Sequence, residues 1–239
     1  MVRSDAVPVV FLHGIRLSGT MWGPVAGVVG QSRSVRAPLL PGHGPRAGER
    51  FTLEAAVAAA ATAIDEVGGR ALLVGHSMGG YVATATAARH PDRVAGLVAG
   101  GSSVRPAGGF LMAYGLVAKL AGANAALANR LSRLGLHRIL PAEEAAAARA
   151  GACTCEVMPD VVTALAAFDP QAALAGYRGP VWLVNGDRDP FRAEKRSFLQ
   201  VCRDGHRIRI PRRGHITVLA ETPTLTRIVL DAAAAVGRG

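Results

Sequence analysis

Half of the 239 residues are hydrophobic and 18% are charged, a balance that excludes a disordered chain and suits one sizeable domain with a buried core. The formal charge of +10 comes from arginines scattered over the whole length, with lysine only at Lys119 and Lys195. No basic helix face or interleaved aromatics accompany them, which argues against a nucleic-acid partner.

In chain order, the first apolar run predicts a strand over 8–12 that ends at His13-Gly14, and a second covers 35–40. A helix follows over 52–67, opened by Thr52 as N-cap and closed by Gly68-Gly69. A strand over 71–74 runs into Gly75-His76-Ser77-Met78-Gly79, a helix over 78–89 ends at His90-Pro91, and a strand covers 94–98. The alternation then fails: 103–170 holds helical segments at 110–121, 125–134, 143–150 and 161–168 and no convincing strand. It resumes with a strand over 181–184, a helix over 193–203, a strand over 207–210 and a helix over 217–236. Strands alternating with helices predict an α/β fold, a parallel sheet covered on both faces, interrupted by a helical insertion.

Gly75-x-Ser77-x-Gly79 between strand and helix has the form of a nucleophile elbow, a turn so sharp that the flanking positions tolerate only glycine. It lifts the serine hydroxyl to the C-terminal edge of the sheet, where open α/β sheets bind ligands. A serine needs a base to take its proton, and the base needs a third group to hold its tautomer. His215 sits in the loop after the last strand, and the loop after the preceding strand offers two acids, Asp187 and Asp189. Oxyanion donors are expected from the N–H groups of Met78, after the serine, and of Ile15, after His13-Gly14.

In Phe11-Leu12-His13-Gly14, Leu40-Pro41-Gly42-His43-Gly44, Gly75-His76-Ser77-Met78-Gly79-Gly80, Val184-Asn185-Gly186-Asp187-Arg188-Asp189-Pro190 and Gly214-His215, the chain resembles the α/β-hydrolase superfamily. The likeness is to its small cap-bearing esterase, thioesterase and C–C hydrolase members, and it covers nearly everything outside the insertion. It implies an α/β-hydrolase fold in three parts: core over 1–103, helical cap over 104–170 and core over 171–239. It implies Ser77 as nucleophile, His215 as base and, three residues after Gly186, Asp189 as the acid. Too few residues precede Pro8 for the family's antiparallel hairpin, so a mostly parallel six-stranded sheet is expected. Leu39 stands where many members carry an acid.

The activity implied is hydrolysis of a carboxylic ester or thioester through an acyl-enzyme, without cofactor or metal. C–C bond hydrolysis or a lyase or cyclase step is the alternative on the same residues, and a non-catalytic binding role a third. In the cap, Phe110, Leu111, Met112, Tyr114, Leu116 and Val117 form a candidate apolar roof, with Trp22 as a wall from below. Such a lining suits a small-molecule substrate with a hydrophobic acyl or ring portion. Arg212-Arg213 is either solvated surface or an attraction for an anionic substrate or an acidic carrier protein. His13, His43 and His206 read as structural, and Cys153, Cys155 and Cys202 as reduced packing residues without zinc spacing. With no h-region and no apolar run long enough to span a bilayer, a cytoplasmic location is expected.

Overall fold

The computed structural model describes residues 6–151 and 153–237, apart from the side chains of 109–111 and 113. Six strands form one sheet: β1 (Val9–Leu12), β2 (Val35–Arg36), β3 (Ala71–His76), β4 (Val94–Gly100), β5 (Pro180–Gly186) and β6 (Asp204–Ile210). Their spatial order is β2-β1-β3-β4-β5-β6, and every neighbouring pair is parallel. β1 and β3 are buried throughout, which is why their sequences are unbroken apolar runs rather than alternating ones.

The helices are α1 (Gly23–Val29), α2 (Leu53–Asp65), α3 (Met78–Arg89), α4 (Gly108–Ala123), α5 (Ala125–Ile139), α6 (Ala142–Ala150), α7 (Met158–Ala166), α8 (Pro170–Gly176), α9 (Lys195–Val201) and α10 (Thr222–Val236). α2, α3, α8 and α9 share a core with Leu73 and Leu97 on one face of the sheet, where Ile64, Val82, Leu174 and Phe198 are buried. α1 and α10 close the other face over Phe11, Leu72 and Val98. The four helices between β4 and α8 do not stand apart from this frame. Leu136, Leu140, Ala145 and Ala148 pack into the α1–α10 core, while Met158, Val161 and Leu165 of α7 pack into the opposite one.

Local chemistry explains most element ends. Thr52 Oγ1 accepts from Ala55 N–H at 3.1 Å and starts α2 as expected, and Asp169 caps α8 through the N–H groups of Gln171 and Ala172. β2 is only two residues long where six were expected, because Pro38 has no N–H to donate to a ladder. The last helix does not begin at 217. A 3-10 turn, Thr217–Ala220, comes first, and α10 starts beside Pro223, which cannot sit in a helix interior but fits a first turn. α1 was not foreseen, since Gly-Pro-Val-Ala-Gly-Val-Val carries two glycines that weaken any helical pattern. Among the described residues, no helix is long and apolar enough to cross a membrane.

Candidate active site

The turn from β3 to α3 holds Ser77 at φ 57° and ψ −123°, a left-handed conformation that a side chain rarely tolerates. Its N–H donates to the Gly100 carbonyl of β4 at 2.7 Å, so the neighbouring strand clamps the strained residue. The two glycines have separate reasons. A methyl at Gly75 would collide with the backbone of Gly79, and one at Gly79 with the carbonyls of Leu12 and His13 at the end of β1. Gly79→Ala is therefore expected to lower stability by roughly 1–3 kcal/mol, the cost typical of overpacking. A urea melt within about 0.5 kcal/mol of the parent, below that range, would count against this account.

Ser77 Oγ lies 3.0 Å from His215 Nε2, and His215 Nδ1 lies 3.1 Å from each oxygen of Asp189. A carboxylate only accepts, so the proton sits on Nδ1 and Nε2 is free to accept from the serine. The two loops carrying acid and imidazole are tied together, with Asp187 N–H on the Ile210 carbonyl and Arg188 N–H on the Arg213 carbonyl at 2.9 Å. Gly186 permits this approach, since a Cβ there would strike the Arg213 carbonyl. Asp189 is 1% exposed. Burial, the largest single influence, pushes its carboxyl up. The opposing pull of His215, the Phe191 N–H at 2.8 Å and His76 leaves it below the ordinary carboxylate value. Asp187 makes no hydrogen bond to His215 among the described residues.

Two aromatic neighbours were not singled out from the sequence. Phe191 stacks on the His215 ring with centroids 4.1 Å apart, and the His76 ring lies 4.8 Å from it. Phe191 could have been found from its place two residues after Asp189. His76 belongs to the elbow motif itself, but only the fold reveals that its ring reaches His215, which follows β6. Gly101, at φ 57°, leaves room for both imidazoles, because a Cβ there would press on His76 and His215.

A narrow cavity at the serine is lined by Ile15, Ser77, Met78, Tyr81, Pro106, Tyr114, Val161, Val162, Leu165 and Phe191. Of the expected pocket residues Tyr114 is present, and Ile15 and Met78, expected as oxyanion donors, lie on the same lining. Met78 begins α3, so its N–H is one of the first-turn donors that lack an intrahelical acceptor. Trp22 is a correction. Its indole N–H donates to the Leu12 carbonyl at 3.1 Å and its ring packs on Phe11, on the α1–α10 side of the sheet. Met112 is a second correction: it is 77% exposed, and Leu116 and Val117 are also more than half exposed. The Phe110 and Leu111 side chains lie outside the described residues. Arg213 is held by Glu221, with Nε to Oε1 at 2.6 Å, rather than turned toward the serine. A groove of about 520 Å³ beside β2, lined by Arg36, Leu39, Thr62 and Glu66, contains no imidazole. Among the described residues, no cluster of three or more His, Cys, Asp or Glu could hold a metal ion.

The remaining buried histidines are structural. Leu40 N–H donates to His13 Nε2 at 3.0 Å, which assigns the His13 proton to Nδ1, facing the Gly14 carbonyl. Burial pushes His13 and His76 down to about 3 and His43 down to about 4. Unfolded imidazoles take protons below about 6.5, whereas these folded ones stay neutral until pH 4 or 3. The unfolded state therefore holds more protons between those limits, and stability falls as pH drops through that window. The slope is about 1.4 kcal/mol per pH unit for each such histidine. Melting followed from pH 7 to 4 should show this decline, and a flat profile would refute it.

Comparison with known proteins adds four findings. Residues 9–226 match the family described as the alpha/beta hydrolase family. The chain is 34% identical over 199 residues to a pimeloyl-[acyl-carrier protein] methyl ester esterase of Aromatoleum aromaticum, covering 75% of this chain and 78% of that one. It is 41% identical over 98 residues to lipase LipV of Mycobacterium tuberculosis, covering 40% and 37% of the two chains. Among solved structures, a thermophilic esterase from Thermogutta terrifontis shares the fold, with a TM-score of 0.79 at 22% identity over 97% of this chain and 90% of that one.

Proposed function

The chain belongs to the alpha/beta hydrolase family, and from that premise we propose that it is a serine hydrolase cleaving a carboxylic ester or thioester. The observation that carries this reading is the continuous chain of contacts from a strained, positive-φ Ser77 through His215 to a buried Asp189. The relative named as a methyl ester esterase supports an ester as the bond cleaved.

In this mechanism Ser77 Oγ attacks the carbonyl carbon while His215 Nε2 takes its proton. Asp189 holds the imidazole by Nδ1 and stabilises its protonated form. The Ile15 and Met78 N–H groups receive the negative charge that gathers on the carbonyl oxygen, helped by the positive end of α3. Collapse of the tetrahedral intermediate expels the alcohol or thiol, which takes the proton from His215. Water, activated by the same imidazole, then releases the acid. The residues 104–170 serve as a cap over this site, with Tyr114, Val161, Val162 and Leu165 giving an apolar roof for the acyl part. An acidic carrier protein as the bearer of that acyl group is compatible with the basic chain and with the name of the relative.

A fluorophosphonate probe followed by peptide mapping should label Ser77, and short aryl esters should be turned over. Label on another residue would sink the assignment of the nucleophile. Label on Ser77 without ester turnover would move the reaction to C–C bond cleavage or a lyase step.

A further inference from the structure

A groove of about 350 Å³ next to the serine cavity is lined by apolar side chains, among them Val117, Leu131, Leu136 and Met158, and by one charged residue, Arg16. Two buried polar atoms on this lining have no hydrogen-bond partner: Arg16 Nε and Ser132 Oγ. Among the described residues, no carboxylate forms an ion pair with Arg16. A guanidinium nitrogen shut off from water with no acceptor is unfavourable, as is an unsatisfied hydroxyl. The backbone adds a third local cost, since Arg16 has φ 67° despite carrying a side chain. The Arg16 carbonyl accepts from Thr154 N–H at 3.0 Å, which holds the residue in that conformation. An unpaired guanidinium nitrogen, an unpaired hydroxyl on the same lining and a strained backbone point to a partner supplied from outside the chain.

The groove adjoins the site through neighbouring residues of the same segments. Ile15 lines the cavity and Arg16 the groove; Tyr114 lines the cavity and Val117, one helical turn on, the groove. Met158 and Val161 divide in the same way along α7, and Ile216 lines the groove directly after His215. Arg16 draws the Tyr114 hydroxyl down by its charge and the Cys155 thiol down by its charge and a side-chain hydrogen bond, against the larger upward push of burial. The cavity at the serine offers only about 40 Å³, so any acyl group beyond the smallest must extend past it.

We propose that Arg16, assisted by Ser132, binds a carboxylate at the far end of the substrate, so that the preferred esters carry a second, free carboxylate on the acyl chain. The planar guanidinium offers parallel N–H donors matched to the two carboxylate oxygens, and the serine hydroxyl adds one more. The choice of ester rests on the serine-hydrolase reading, whereas the binding of the anion does not.

The test compares mono-4-nitrophenyl esters of butanedioic, hexanedioic and octanedioic acids with 4-nitrophenyl butanoate, hexanoate and octanoate. At the favoured length the carboxylated ester has the higher kcat/KM, through KM. That preference falls roughly ten- to a hundredfold in Arg16→Met, less in Arg16→Lys, which keeps the charge but loses the fork, and severalfold in Ser132→Ala. Arg133→Met, at an exposed arginine of α5, serves as the charge-matched control and leaves the preference in place. Calorimetric titration with hexanoate against hexanamide needs no turnover, and here too binding of the anion is lost in Arg16→Met. Should Arg16→Met not fold, Arg16→Lys and Ser132→Ala carry the same comparison. An equal preference in parent and Arg16 variants, or hexanoate bound equally by both, overturns the proposal. Arg16-dependent hexanoate binding in a protein that turns over no ester would retain the carboxylate site and reject the hydrolase reading.

Discussion

Ser77→Ala is expected to abolish fluorophosphonate labelling and to lower kcat/KM for aryl esters by a factor on the order of 10⁴ or more. The size follows from the arrangement, because His215 Nε2 would keep its position with no nucleophile 3.0 Å away, and only the oxyanion donors and substrate binding would remain. The protein should stay folded. Alanine removes a hydroxyl whose bond is to the imidazole, and the strained φ of 57° burdens both residue types alike. Burst kinetics with an aryl ester, compared with the parent at equal protein concentration, give the measurement. A variant that turns over esters at the parental rate would show that the nucleophile lies elsewhere.

Asp189→Asn should cost nearly as much, on the order of 10⁴ in kcat, for a reason visible in the hydrogen bonds. The Phe191 N–H points at Oδ1, which keeps the amide oxygen of an asparagine on that side. The NH2 group then takes the Oδ2 position, 3.1 Å from His215 Nδ1, where donor faces donor, and the one oxygen left at 3.1 Å is already taken by the Phe191 N–H. The conflict is relieved when the imidazole moves its proton to Nε2, the atom that must accept from Ser77. Asp187→Asn should be much milder, because the bond recorded for Asp187 is made by its backbone N–H to Ile210. Steady-state kinetics of the two variants decide between the acids, and the reverse order of effects would reassign the role.

The parts of the site that were legible in the sequence are those dictated by backbone geometry. Ser77 lies between glycines that the approach of Gly79 to β1 and β3 requires, and Asp189 and His215 each follow a strand beside a glycine where two loops meet. Positions set by side-chain direction were harder to read. α4 carries apolar residues around most of its circumference, so nothing in its pattern marked Met112 as outward and Tyr114 as inward. Trp22 is large and apolar enough for a pocket wall, but its N–H needed an acceptor and found one behind the sheet at Leu12. Arg16 looked like one arginine among many. Only the fold sets its side chain in an apolar groove, because that groove brings Arg16 together with Val117 and Ile216, each a hundred residues or more along the chain.

The rings of Phe191 and His76 beside His215 bear on time as well as position. An imidazole with an aromatic neighbour 4.1 Å away and another 4.8 Å away cannot tumble about its side-chain bonds without displacing them. Its easiest displacement is a slide within its own plane. In the proposed reaction such a slide would carry Nε2 from the serine oxygen toward the leaving alkoxide or thiolate. The cycle would then run on short, repeatable strokes of one ring between fixed guides, and enlarging the gap at Phe191 would be felt as a proton delivered late.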